Sequence, residues 1–176
     1  HELDAVLAAH VEAGQGRFRG VRRSAGRHAS FNYGVLEPPP WNVYEDTRLR
    51  RGVARLADFG LTFDALGFHT QLDEVTALAQ AVPGTGIVLN HLGAPLGVGP
   101  YRGRRDAAFS EWRAAMGRLA ACPNVHVKLG GMGMATFGTD FAQRERPVGS
   151  DELAAAWRPW VAGATPRIWR SRPCWA

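Results

Sequence analysis

Ile87-Val88-Leu89-Asn90-His91-Leu92-Gly93 is the stretch whose reading decides the fold. It is a short apolar run that ends on an imidazole and breaks at a glycine, the form of a buried strand with a polar exit. Residues 18–23, 61–66 and 125–131 have the same shape, apolar and then stopped by polar residues or glycine. A segment of helical period separates each from the next. Strands alternating with helices predict a parallel sheet.

In chain order, residues 2–13 place Leu3, Val6, Leu7 and Val11 on one stripe, and Gly14 is a natural stop. Pro38-Pro39-Pro40 rules out a helix in the irregular stretch 24–44. Residues 46–59 resume the helical period through Leu49, Val53 and Leu56, and Gly60 closes it. Thr70 reads as the N-cap of a helix carrying Leu72, Val75, Leu78, Ala79 and Val82, with Asp73 completing the capping pattern. Asp106 opens another helix, through Phe109, Trp112, Met116 and Leu119. Ser150-Asp151-Glu152 starts a last one, which is expected to break at Pro159.

Loop lengths carry the strongest inference. Connections from helix to strand are short, whereas most from strand to helix are long (24–44, 92–105 and 132–149). Both kinds need only about 2–6 residues in a parallel α/β fold. Extra length on one side marks the face where the C-terminal ends of the strands emerge, which bears the site in barrels and open sheets alike. With about four βα units in place of the eight of a barrel, the predicted class is α/β, either a small open sheet or half of a (β/α)8 TIM barrel.

At 176 residues and 45% hydrophobic, the chain can bury a sizeable core. No apolar run approaches the ~20 residues that span a bilayer, so no membrane association is expected. Cys122 and Cys174 make no metal or redox spacing, which fits a reducing, cytoplasmic location. The net charge of +5 would suit nucleic acid, but Arg167, Arg170 and Arg172 lie in a terminal tail. Without those three the 21 basic residues fall to 18, against 16 acidic. The other arginines alternate with acids on helices, as on an ordinary solvated face. Nucleic acid is therefore not the expected partner.

His91 ends its strand and should project into the elaborated mouth, and His69, just past the preceding strand, should open onto the same mouth. Neutral imidazoles at adjacent strand ends suit a divalent metal or proton transfer. Each would equally serve as a plain hydrogen-bonding group at a strand end. Lys128, the only lysine, alternates with Val127 and Leu129 and could bind a carboxylate or reach solvent. Arg22 and Arg23 end the first strand, and Arg102, Arg104 and Arg105 follow His91. Forked guanidinium groups there would hold a carboxylated or polyhydroxylated substrate. Asp64 and Asp140 are candidate carboxylates for base or ligand duty.

The run Leu61-Thr62-Phe63-Asp64, then His69-Thr70-Gln71-Leu72, the Ile87 stretch and Val127-Lys128-Leu129-Gly130-Gly131 resembles the amidohydrolase-related family over residues 17–160. These are TIM-barrel hydrolases that include sugar-lactone and pyrone-dicarboxylate lactonases, with related decarboxylases. The resemblance implies that His69 and His91 end the fifth and sixth barrel strands and, in metal-dependent members, bind or approach one divalent metal, zinc or similar, whose place cationic side chains take in metal-free members. It implies substrate binding by Arg22 and attack of water on a lactone or ester carbonyl; Lys128 and Arg102 are expected from their positions to bind substrate as well. Nothing here matches the family's first-strand His-x-His pair or its last-strand aspartate. Asn90 stands where aspartate is expected, which would weaken the orientation of His91.

These departures predict a partial barrel over residues 1–163, with residues missing upstream and impaired turnover. Residues 164–176 are expected to be a disordered or frame-shifted basic tail. The leading expectation is a lactonase-like hydrolase of a small-molecule substrate, with a non-catalytic half-barrel module as its rival. Open sheet edges would invite a homo-oligomer.

Overall fold

The computed structural model describes residues 2–30 and 37–168. Its elements alternate as α1 (Glu2–Gly14), β1 (Gly20–Ser24), α2 (Thr47–Leu56), β2 (Thr62–Leu66), α3 (Leu72–Ala81), β3 (Ile87–Leu89), α4 (Arg105–Leu119), β4 (Val125–Val127) and α5 (Ser150–Ile168). All pairings are parallel, and the strands lie in chain order β1-β2-β3-β4. Each strand starts six positions after the preceding helix ends (Gly14 to Gly20, Leu56 to Thr62, Ala81 to Ile87, Leu119 to Val125). The long connections all leave the other ends of strands, as the loop lengths predict.

Side chains alternate across a strand, and here the alternation sorts them sharply. Phe63, Ala65, Ile87 and Leu89 face one way and are almost fully buried. The helices supply Val53, Leu56, Val75, Leu78, Trp112, Met116 and Leu119 to the same core. The opposite face carries Arg22, Asp64, Val88 and His126 in register and stays partly open. In a closed (β/α)8 barrel the face without helices is the inside. Tyr44 pegs the tops of β1 and β2 together, donating its hydroxyl hydrogen to the Arg23 carbonyl at 2.8 Å and accepting from the Leu66 N–H at 2.9 Å.

Local chemistry explains most element ends. Asp46 caps α2 by accepting from the N–H groups of Arg48 and Leu49. Gly60 takes the left-handed conformation (φ 63°) that turns the chain into β2. Two expectations are corrected. Thr70 does not cap α3; it sits exposed in a 3₁₀ turn over His69–Gln71, and Gln71 does the bonding instead. The Gln71 amide accepts from the N–H groups of Arg27 and Phe68 and donates to the Ala25 carbonyl.

The second correction is that α5 does not stop at Pro159 but runs on to Ile168. Burial of Trp160 and Ala164 against α4 outweighs the lost backbone hydrogen bond, and Arg105 Nη2 donates to the Ala156 carbonyl in the disrupted turn. Gly163 lets this happen, because a β-carbon there would lie 2.8 Å from Trp112. Residues 164–168 of the expected tail are thus helical, whereas Arg170, Arg172 and Cys174 lie outside the described residues. Among the described residues no helix is long and apolar enough to cross a membrane.

Phe63 anchors the helix-facing side of the sheet at 2% exposure. Phe63→Ala is expected to cost about 3–5 kcal/mol of stability, measured by urea unfolding followed by circular dichroism.

Candidate functional site

One residue from each strand end meets on the open face. Arg22, Asp64, Val88 and His126 are register partners, and Asn90 and Lys128 lie two residues beyond the last two, so all point the same way. Asp64 Oδ2 accepts from Lys128 Nζ at 2.6 Å and from Arg22 Nη2 at 3.0 Å. The same Arg22 nitrogen donates to Asn90 Oδ1 at 3.0 Å. Asn90 is fully buried and donates its amide to the Ala65 carbonyl at 3.2 Å. Burial alone would raise the Asp64 pKa, but hydrogen bonds from Lys128, Arg22 and Asn90 outweigh it and hold the carboxyl below its ordinary range. Asp64 is thus ionised at neutral pH.

His91 stands at the end of β3, half-buried and beside this group. Partial burial and the positive charges of Arg22 and Lys128 lower its pKa below the ordinary imidazole value, leaving it neutral at pH 7. Its backbone is strained, with φ values of 55° at His91, 56° at Leu92 and 38° at Ala94, a left-handed run rare outside glycine. Neighbours hold the run in place. Leu92 N–H donates to the Lys128 carbonyl at 3.1 Å, and Trp112 Nε1 donates to the Leu92 carbonyl at 2.7 Å. Gly131 supplies the room, since any side chain there would collide with His91.

His69 is placed differently from expectation. It does not open onto the mouth but is 3% exposed, covered by the loop after β3. Its Nδ1 accepts from the Leu96 N–H at 3.2 Å, and Tyr101 packs edge-on at 4.7 Å between ring centres. Its Nε2 lies 3.7 Å from Glu111 Oε2, too far for a hydrogen bond, and has no other partner. Glu111 is itself bonded by the Tyr101 hydroxyl. Burial drives the His69 pKa down to about 4, against the pull of Glu111. Arg102 is exposed on the loop outside the Asp64 group. Asp140 pairs with Arg144 at 2.9 Å.

The structure therefore joins two of the predicted substrate-binding residues, Arg22 and Lys128, near His91, and leaves His69 and Arg102 apart from them. Asp64 was expected as a base or ligand and Asn90 only as a weak support for His91; their place at the centre of this group was not foreseen. The parallel register is the signal: it sets Asp64 beside Arg22, and Asn90 lies two residues past Val88, the partner of Asp64 on β3.

A family model for amidohydrolases matches residues 2–170. The chain belongs to the amidohydrolase family. Among its relatives, an uncharacterized protein of Sinorhizobium fredii is 33% identical over 138 residues, which make up 78% of this chain and 43% of that protein. The L-fucono-1,5-lactonase of Burkholderia multivorans is 38% identical over 88 residues, 50% of this chain and 29% of the lactonase. A crystal structure of an amidohydrolase from Burkholderia multivorans with bound HEPES superposes with a TM-score of 0.67 at 27% identity. It covers 92% of this chain and 50% of its own. Another structure of an amidohydrolase from that organism, with bound zinc, shares the fold (TM-score 0.63, 24% identity, 93% of this chain and 52% of that one). The chain spans about half or less of the length of these relatives. Its α/β architecture is that of a partial TIM barrel.

The side chains of the described residues do not fit a metal ion. Among the described residues no group of three or more histidines, cysteines or carboxylates comes together. The Nδ1 lone pair of His69 is taken by the Leu96 N–H, so the proton sits on Nε2 and neither nitrogen is left to ligate. Asp64 is occupied by two cations, which would also repel a third.

Two outcomes follow from this geometry. His69 binds its proton at about 4 in the folded chain and near the ordinary 6.5 when unfolded, so the unfolded state holds more protons between those values. Stability should fall as pH drops through that window, and His69→Gln should flatten the slope of urea midpoint against pH. Trp112→Phe, which orphans the Leu92 carbonyl, should cost about 1–3 kcal/mol in the same unfolding assay.

Proposed function

We propose that this chain carries part of the site of a lactone or ester hydrolase, acting on a sugar lactone or a carboxylated pyrone lactone. The observation that carries the reading is His91, presented on a strained left-handed backbone at the strand-end mouth and held beside Arg22 and Lys128. The family and the lactonase relatives support hydrolysis as the reaction class.

In this reading His91 takes a proton from water as it adds to the carbonyl carbon. Negative charge then grows on the carbonyl oxygen, where the Arg22 guanidinium and the Lys128 ammonium stabilise it. Collapse breaks the ring C–O bond, and the proton held by His91 passes to the leaving oxygen. The product is a hydroxy acid whose carboxylate faces the same two cations.

One observation favours the rival, a non-catalytic module. The outer strands β1 and β4 each have one unpaired side among the described residues. Such edges recruit further strands, including those of a second copy.

Hydrolysis of L-fucono-1,5-lactone, followed by acid release, decides between them. His91→Gln is expected to lower kcat/KM by at least ~100-fold. The unmutated rate should drop on the acid side with an apparent pKa below the ordinary imidazole value, since protonated His91 cannot act as base. Turnover unaffected by His91→Gln would refute the assignment.

A further inference from the structure

Asp64 was expected to serve as base or ligand, and its surroundings suit neither. One of its oxygens already accepts from two cations, at 2.6 and 3.0 Å. We propose that Asp64 is a positioning residue: through Oδ2 it clamps the Lys128 ammonium and the Arg22 guanidinium together over the middle of the open face, beside His91.

The two cations come from the outermost strands of the sheet, β1 and the end of β4. Lys128 therefore reaches across β3 to the carboxylate on β2. Without an anion between them, two long, flexible cationic side chains would separate. Each is half-exposed, at 49% of its side chain, while the Asp64 side chain is 17% exposed. The carboxylate is thus the fixed inner member and the cations are the mobile ones. Asn90 completes the device. Its neutral Oδ1 steers Arg22 without cancelling charge, so the group of Arg22, Lys128 and Asp64 keeps one surplus positive charge. Aspartate at that position would remove the surplus. An oxyanion arising on the face meets a charge that is both held in place and unspent.

The catalytic sense of the clamp rests on the lactone-hydrolase reading, but the clamp itself can be tested without turnover. Lys128 is the only lysine in the chain, so it carries the only side-chain amine. Its acylation by acetyl N-hydroxysuccinimide, located by peptide mass spectrometry apart from the N-terminal amine, reports how firmly the ammonium is held. Asp64→Asn with a native circular dichroism spectrum should label roughly two- to fivefold faster, the range that loss of a half-exposed ion pair allows. Asp64→Glu should return the rate toward that of the unmutated chain. Arg22→Gln leaves the carboxylate to Lys128 alone and should label no faster than the unmutated chain.

A folded Asp64→Asn labelled at the unmutated rate overturns the proposal. Faster labelling in Arg22→Gln does so as well, and that arm decides the matter if Asp64→Asn does not fold. Where turnover is measurable, Asp64→Asn should lower kcat more than it changes KM. Absence of turnover with the labelling contrast intact removes the hydrolase reading and leaves the clamp. Unchanged labelling with normal turnover removes the clamp alone.

Discussion

A parallel sheet clad with helices on one side only forces a division of labour between alternate residues. Every second side chain must be apolar enough to join the helices, and those between are free to be charged. Phe63, Ala65, Ile87 and Leu89 obey the first demand. Arg22, Asp64, Asn90 and Lys128 use the freedom of the second. The core and the candidate site are thus two readings of the same strands, one residue out of phase. A slip of one position in any pairing would drive charge into the core and leucine onto the open face.

The two histidines show how differently adjacent strand ends can be used. His91 sits on a backbone that is costly to make and is pinned from below by Trp112 and from the side by Lys128. Strain kept at one position by several independent contacts is typical of sites where a side chain must be presented rather than merely buried. His69, in relaxed surroundings, spends its one acceptor on a backbone N–H and disappears beneath Leu96 and Tyr101. It braces the loop that follows β3.

Much of this was legible in the sequence. The strand pattern, the helical periods between strands and the lopsided loop lengths gave the parallel order and the site-bearing end. Failures came where a residue's role depends on a distant partner. Thr70 looked like a cap because local spacing permits it, yet Gln71 found better partners in Ala25 and Arg27, far away in the chain. Pro159 looked like a stop because its own chemistry opposes a helix, but packing of Trp160 and Ala164 against α4 prevails. Asn90 was expected only to weaken the orientation of His91, and it holds Arg22. Lys128 was expected to bind a carboxylate or reach solvent; that the carboxylate is Asp64, on β2 beyond the intervening β3, depends on the pairing of distant strands.

The aromatic stack where α5 meets α4 has an optical consequence. Trp112 and Trp160 lie 5.0 Å apart, ring centre to ring centre, with Phe109 and Phe137 packed around them. Indoles that close share their excited states, so the pair should give a strong exciton signature in the ultraviolet. Because Trp112 also holds the carbonyl next to His91, the chain contains an intrinsic chromophore that reports, without any added label, whether its last helix is docked beneath that histidine.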